Sequence, residues 1–128
     1  MRRRLLARPD LAPYVRLVSL SFDPTHDTPQ AMRAYGGKFL RGEGGLEWKF
    51  LTTRSVAELM PLLDGLGQDA VVEVDEGGRP TRTIHHTLKV FLIDAQGFVR
   101  EIYSPAFLFP DVVLNDIETL ILERRRGR

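Results

Sequence analysis

The apolar positions along the chain change their period several times, and each change marks an element. Residues 15–22 (Val-Arg-Leu-Val-Ser-Leu-Ser-Phe) are rich in branched and apolar side chains with little strict alternation. Such a run predicts a strand buried on both faces, as in a mostly parallel sheet. Pro24 stops it, because proline lacks the N–H that a ladder needs. Thr28 before Pro29 predicts a helix start, with Thr as N-cap and proline at the first helical position. Met32, Tyr35 and Phe39 follow at helical spacing. Gly36 and Gly37 weaken that helix, and the glycines at 42, 44 and 45 end it.

The second half alternates in the same way. Residues 48–52 read as a short strand that puts Trp48 in the core. Ser55 and Glu58 form a capping box that opens a helix whose apolar face is Val56, Leu59, Leu62, Leu63 and Leu66. Pro61 should kink or shorten that helix, and Gly67 suits its C-terminal cap. Residues 71–84 have the pattern of a hairpin around Gly77-Gly78. Residues 86–93, beginning at His86, give the strongest strand signal. A turn at Asp94–Gly97 returns the chain as an antiparallel strand over 98–103. Asp111 to Arg125 is amphipathic, with Val113, Leu114, Ile117, Leu120 and Ile121 on one side. At the front, Leu5-Leu6-Ala7 before Pro9 reads as the last turns of a helix. The order of strands and helices predicts an α/β sandwich.

Length and charge narrow the picture. The 128 residues suit one domain, 1–128, with a helix end and loop at 1–14 and a basic tail at 124–128. The formal net charge of +1 hides a split. Residues 1–8 and 124–128 each hold four Arg and no acid, while residues 9–123 hold ten basic and all 17 acidic residues, a net −7. An acidic body argues against nucleic acid as partner, and the terminal Arg runs read as solvated tails or helix ends. Cysteine is absent, which removes disulfides, thiolate metal sites and thiol catalysis from this chain. Ser21, Ser55 and Ser104 have no nucleophile signature around them, and no phosphate-binding glycine motif is present, so neither an enzyme nor a small-molecule substrate is expected. No stretch approaches the ~18 apolar residues of a membrane span, and the start lacks the apolar core of a secretory signal. By default this places the chain as written in the cytoplasm.

Two motifs carry a resemblance. Residues 18–29, Val-Ser-Leu-Ser-Phe-Asp-Pro-Thr-His-Asp-Thr-Pro, resemble the "SxDPxxDTP" signature of the SCO/SenC family. Residues 86–97, from His86 through Asp94 to Gly97, resemble that family's "DHTxxxYLIDxxG". Both occur in order with the expected elements between them, and the resemblance covers most of residues 15–122. It implies a thioredoxin-like sandwich and a role as copper metallochaperone in cytochrome c oxidase assembly, with the oxidase copper subunit as partner. Family members hold one copper ion through two thiolates of a Cys-x-x-x-Cys motif and one histidine, the donor set that suits Cu(I). They work on the outer side of the bacterial inner membrane or in the mitochondrial intermembrane space, usually tethered.

The resemblance places the metal-ligand histidine at His86 and the loop-shaping carboxylates at Asp23 and Asp27; His85 stands where the family has Asp. It also implies that the first strand and first helix of the domain, which carry the cysteines, are missing from this chain. That strand would lie between the strands at 15–22 and 86–93. Its loss leaves them ~9–10 Å apart, twice the usual spacing, with unpaired backbone on both sides. Either the two close up, or another segment or chain fills the gap, or the full-length polypeptide carries a further segment at its front. The alternative function is therefore a cysteine-free module that binds a partner, or pairs with itself as a homodimer, through open strand edges. His26 beside Asp23 and Asp27 reads as loop chemistry, with the carboxylates bonding nearby amides. The apolar loop from Pro105 to Pro110 is a candidate contact surface.

Overall fold

A computed structural model gives the fold. It describes residues 1–40, 45–68, 70–86 and 89–127, with the backbone alone at 70–73 and 80–86. A short helix α1 (Arg2–Leu6) leads into a 3-10 turn at Ala12–Tyr14 and then strand β1 (Arg16–Leu20). Helix α2 (Pro29–Gly37), strand β2 (Glu47–Leu51) and helix α3 (Val56–Gly65) follow. The hairpin β3 (Ala70–Val74) and β4 (Pro80–His86) precedes the hairpin β5 (Val90–Ile93) and β6 (Val99–Tyr103). Helix α4 (Pro110–Arg125) closes the chain. The content is mixed helix and strand, as an α/β protein requires.

Local chemistry explains most boundaries. The Thr28 hydroxyl accepts from the Ala31 amide at 3.2 Å, and Pro29 takes the first helical position of α2. Ser55 caps α3 by accepting from the Glu58 amide at 3.2 Å. The Glu58 carboxylate reaches back to the Arg54 amide at 3.0 Å, one residue before the cap. α3 spans Val56–Gly65 with Pro61 inside it, where the proline has no amide for the bond to the carbonyl four residues earlier. It ends with Gly67 at φ +63°, where the Gln68 amide bonds the Leu63 carbonyl and the Gly67 amide bonds that of Asp64. The Asp94 carboxylate accepts from the amides of Gln96 and Phe98, and Gly97 completes that turn at φ +91°.

The strands form three separate two-stranded ladders. β1 pairs with β2 in parallel, Leu17 opposite Trp48 and Leu20 opposite Leu51. β3 pairs with β4, and β5 with β6, both antiparallel. Two expectations are corrected here. The run 86–93 is not one strand: His86 ends β4, opposite Ala70, and β5 starts at Val90. β1 is not buried on both faces: Arg16 and Val18 are exposed, and Val18 keeps 55% of its surface.

The core sits where α1, the following turn and β6 meet α4. Leu5, Leu11, Leu46, Tyr103, Val113, Leu114 and Ile117 form one buried cluster. The Tyr103 hydroxyl donates to Asp116 Oδ2 at 2.5 Å, and burial, then that bond, raises the phenol above its ordinary range. Gly36 lets α2 lie against β2. A Cβ there would meet the Phe50 ring at 2.5 Å, whereas one at Gly37 would meet nothing within 4 Å.

Candidate functional site

The Asp-Pro loop after β1 is built almost wholly from its own residues. Ser21 is buried, and its hydroxyl donates to Asp27 Oδ2 at 2.5 Å while accepting from the Asp23 amide at 3.0 Å. The Thr25 hydroxyl donates to Asp23 Oδ1 at 2.7 Å, and His26 Nδ1 lies 2.9 Å from Asp23 Oδ2. The Thr25 hydroxyl chiefly lowers the Asp23 carboxyl below its usual range; burial opposes this, and the His26 ring adds to it. The loop carboxylates were expected to bond nearby amides. Their partners are instead side chains of the loop itself: the Ser21 hydroxyl for Asp27, and the Thr25 hydroxyl and His26 ring for Asp23. This geometry fixes the exit from β1 and the entry to α2.

The donors present do not fit a copper site of the thiolate kind. The chain has no cysteine. Among the described residues no group of three or more His, Asp and Glu side chains gathers as metal ligands. His26 is engaged by Asp23 and Thr25. His85 and His86 are adjacent on β4, and their side chains lie outside the described residues, as does residue 87.

A cleft of about 1670 Å³ lies between β1 and β5. Residues 15–20 and 90–94 line it without a gap, whereas β2 contributes Trp48 alone. Successive side chains of a strand point to opposite faces, so an unbroken run can line one space only by presenting its edge. Neither β1 nor β5 has a second partner among the described strands. Of the expectations for this gap, closure of the strands onto each other is not what the structure shows. Val113, Ile117 and Ile121 of α4 form part of the apolar floor.

The rim is basic, which the sequence reading missed. Nine Lys and Arg residues line the cleft against two acids, Asp94 and Glu123. The Arg runs at the two ends of the chain are helix ends that converge here: Arg2, Arg3 and Arg4 from α1, and Arg124 and Arg125 from α4. Arg4 pairs with Asp111, and Arg100 with Glu123 at 2.9 Å. Arg2, Arg3 and Arg124 have no acidic partner among the described residues, and Arg2 Nε is buried without an acceptor. The signal was available in the sequence as two cationic runs flanking an acidic body, but nothing local says that they meet.

Trp48 is not core, as had been expected, but half-buried at the cleft wall. Its Nε1–H donates to Ser19 Oγ at 3.0 Å, and its ring stacks on Phe50 at 4.8 Å between centroids. Phe39 and Tyr35 extend this aromatic patch. In the apolar loop, Phe107 is 70% exposed and Phe109 55%. Among the described residues no helix is long and apolar enough to cross a membrane.

The family model of SCO1/SenC matches residues 4–122. No curated protein and no solved structure matches the chain.

Proposed function

The chain belongs to the SCO1/SenC family, and on that premise we propose that it serves copper delivery to the copper subunit of cytochrome c oxidase as a thioredoxin-like scaffold that cannot hold copper with its own side chains. The family match over residues 4–122 carries the first half of this reading. The ligand chemistry supports the second: Cu(I) selects soft thiolates, and the chain has none. In this reading His86 contributes the imidazole, the Asp23–Asp27 loop braces the strand behind the site, and the thiolates arrive on another polypeptide segment. The role is that of a carrier rather than a catalyst.

Competition for Cu(I) against a chromophoric chelator tests it. The chain alone should leave the metal with the chelator. Adding a Cys-x-x-x-Cys peptide should let the mixture withdraw copper beyond what the peptide does by itself, and His86→Ala should abolish that excess. Tight Cu(I) binding by the chain alone, or an excess unchanged in His86→Ala, would overturn the reading.

The open edges of β1 and β5 favour a second reading, a cysteine-free module that binds through them with no metal at all. It predicts a soluble chain that folds cooperatively and leaves copper alone even with the peptide present.

A further inference from the structure

We infer that the outer edge of β2 pairs antiparallel with the same edge of a second copy of this chain, about a two-fold axis at Trp48. This edge lies on the far side of the β1–β2 ladder from the cleft, and its use is independent of either reading above.

The ladder shows which backbone groups are free. The Ser21 amide bonds the Leu51 carbonyl, so Glu47, Lys49 and Leu51 turn their amides and carbonyls toward β1. Trp48 and Phe50 turn theirs away from it, and β2 has no second strand partner among the described residues. The edge is also regular. The β3–β4 and β5–β6 ladders each carry a register shift, the kind of irregularity that discourages edge pairing. The β1–β2 ladder runs in unbroken register from Arg16 opposite Glu47 to Leu20 opposite Leu51.

Charge complementarity names the occupant. Outward groups must meet outward groups, so a copy of β2 can pair only in registers centred on one residue. Centred on Lys49, the pairing opposes two lysines; centred on Glu47, two glutamates; centred on Phe50 or Leu51, it sets no Glu against a Lys. Centred on Trp48, each Glu47 faces the partner's Lys49, and the two Trp48 residues exchange amide–carbonyl bonds. Glu47 and Lys49 are both exposed and lie 3.3 Å apart within one copy, on the same face of the strand. Exposed ion pairs are individually weak, so the charges choose the register while the ladder and apolar contact supply the affinity. On the other face Tyr35 and Phe39 of α2 stay exposed beside the Phe50 ring. The two-fold axis puts both copies of this aromatic patch on one side of the joined sheet, where an exposed apolar patch gains a neighbour.

Sedimentation equilibrium of the chain over a range of concentrations tests this, and a reversible dimer is expected. Lys49→Glu and Glu47→Lys should each weaken it by about tenfold or more, because each sets like charges against one another twice. An equimolar mixture of the two variants should associate again, since every facing pair is then of opposite sign. Amide exchange at Trp48 and Phe50 should slow as the dimer forms. A chain monomeric throughout, a dimer indifferent to both reversals, no recovery on mixing variants that circular dichroism shows to be folded, or unchanged exchange at Trp48 would each overturn the proposal. A dimer broken by Val18→Glu but not by Lys49→Glu would place the contact at the cleft, overturning the edge named here and leaving the second reading standing.

Discussion

Where α1, β6 and α4 meet, the molecule is closed; where β1 faces β5, it is open. On the closed side Leu11, Leu46 and Leu114 are buried, and even the Tyr103 hydroxyl finds Asp116. On the open side Val18 is 55% exposed and Ile93 49%. The two sides are similarly apolar in sequence, so composition does not separate them. The difference is whether the chain supplies a neighbour. Hydrophobic patterning reports what a residue would gain by burial, not that burial occurs.

The comparison can be broken most forcefully by truncating one residue on each side. Leu114→Ala should destabilise by about 2–5 kcal/mol, as large-to-small changes in a packed core do. Val18→Ala should stay within about 0.5 kcal/mol, as at an exposed site. Urea unfolding measures both, and a loss above about 2 kcal/mol at Val18 would mean that the cleft is packed in solution.

Where α2 lies on β2, Gly36 and Gly37 offer a sharper test. Gly36→Ala should cost about 1–3 kcal/mol by overlap with the Phe50 ring. Gly37→Ala should gain up to about 1 kcal/mol from helix propensity, because nothing crowds it. Thermal melts of the same sign for both would contradict the contact between α2 and β2.

At the end of β1 the loop closes on itself, and Ser21→Ala should cost about 1–2 kcal/mol by leaving the Asp27 carboxylate and the Asp23 amide without their partner. Differential scanning calorimetry would show it, and a variant as stable as the parent would count against the loop geometry.

The smallest effect is one of pH. The folded Asp23 carboxyl lies below its ordinary value near ~3.9, so its contribution is present above that range and is lost as pH falls through the lower folded value. Melting temperature followed into acid should fall less steeply for Asp23→Asn than for the parent. Parallel curves would mean that the Thr25 and His26 contacts do not favour the charged form.

What could be read beforehand was whatever a few neighbouring residues decide. Thr28 and Ser55 cap their helices because the hydroxyl and the amide it accepts from are three residues apart. Gly67 and Gly97 sit at positive φ where the sequence puts glycine beside a helix end and a turn. The Asp23–Asp27 loop belongs to the same class, since its partners span residues 21–27. The exposure of β1 does not, because a second ladder neighbour comes from far along a chain or from elsewhere. The break between β4 and β5 was hidden inside one apolar run. The basic rim was hidden for the opposite reason, its parts lying at the two ends of the sequence.

Amide hydrogen exchange along β1 tests the central claim most directly. The Ser21 amide bonds the Leu51 carbonyl at 2.9 Å, and backbone direction alternates along a strand, so the amides of Ser19 and Ser21 face β2 while those of Val18 and Leu20 face the cleft. The account predicts slow exchange at Ser19 and Ser21 and fast exchange at Val18 and Leu20. Equal protection at all four positions would show that β1 already has a second partner, and would contradict it.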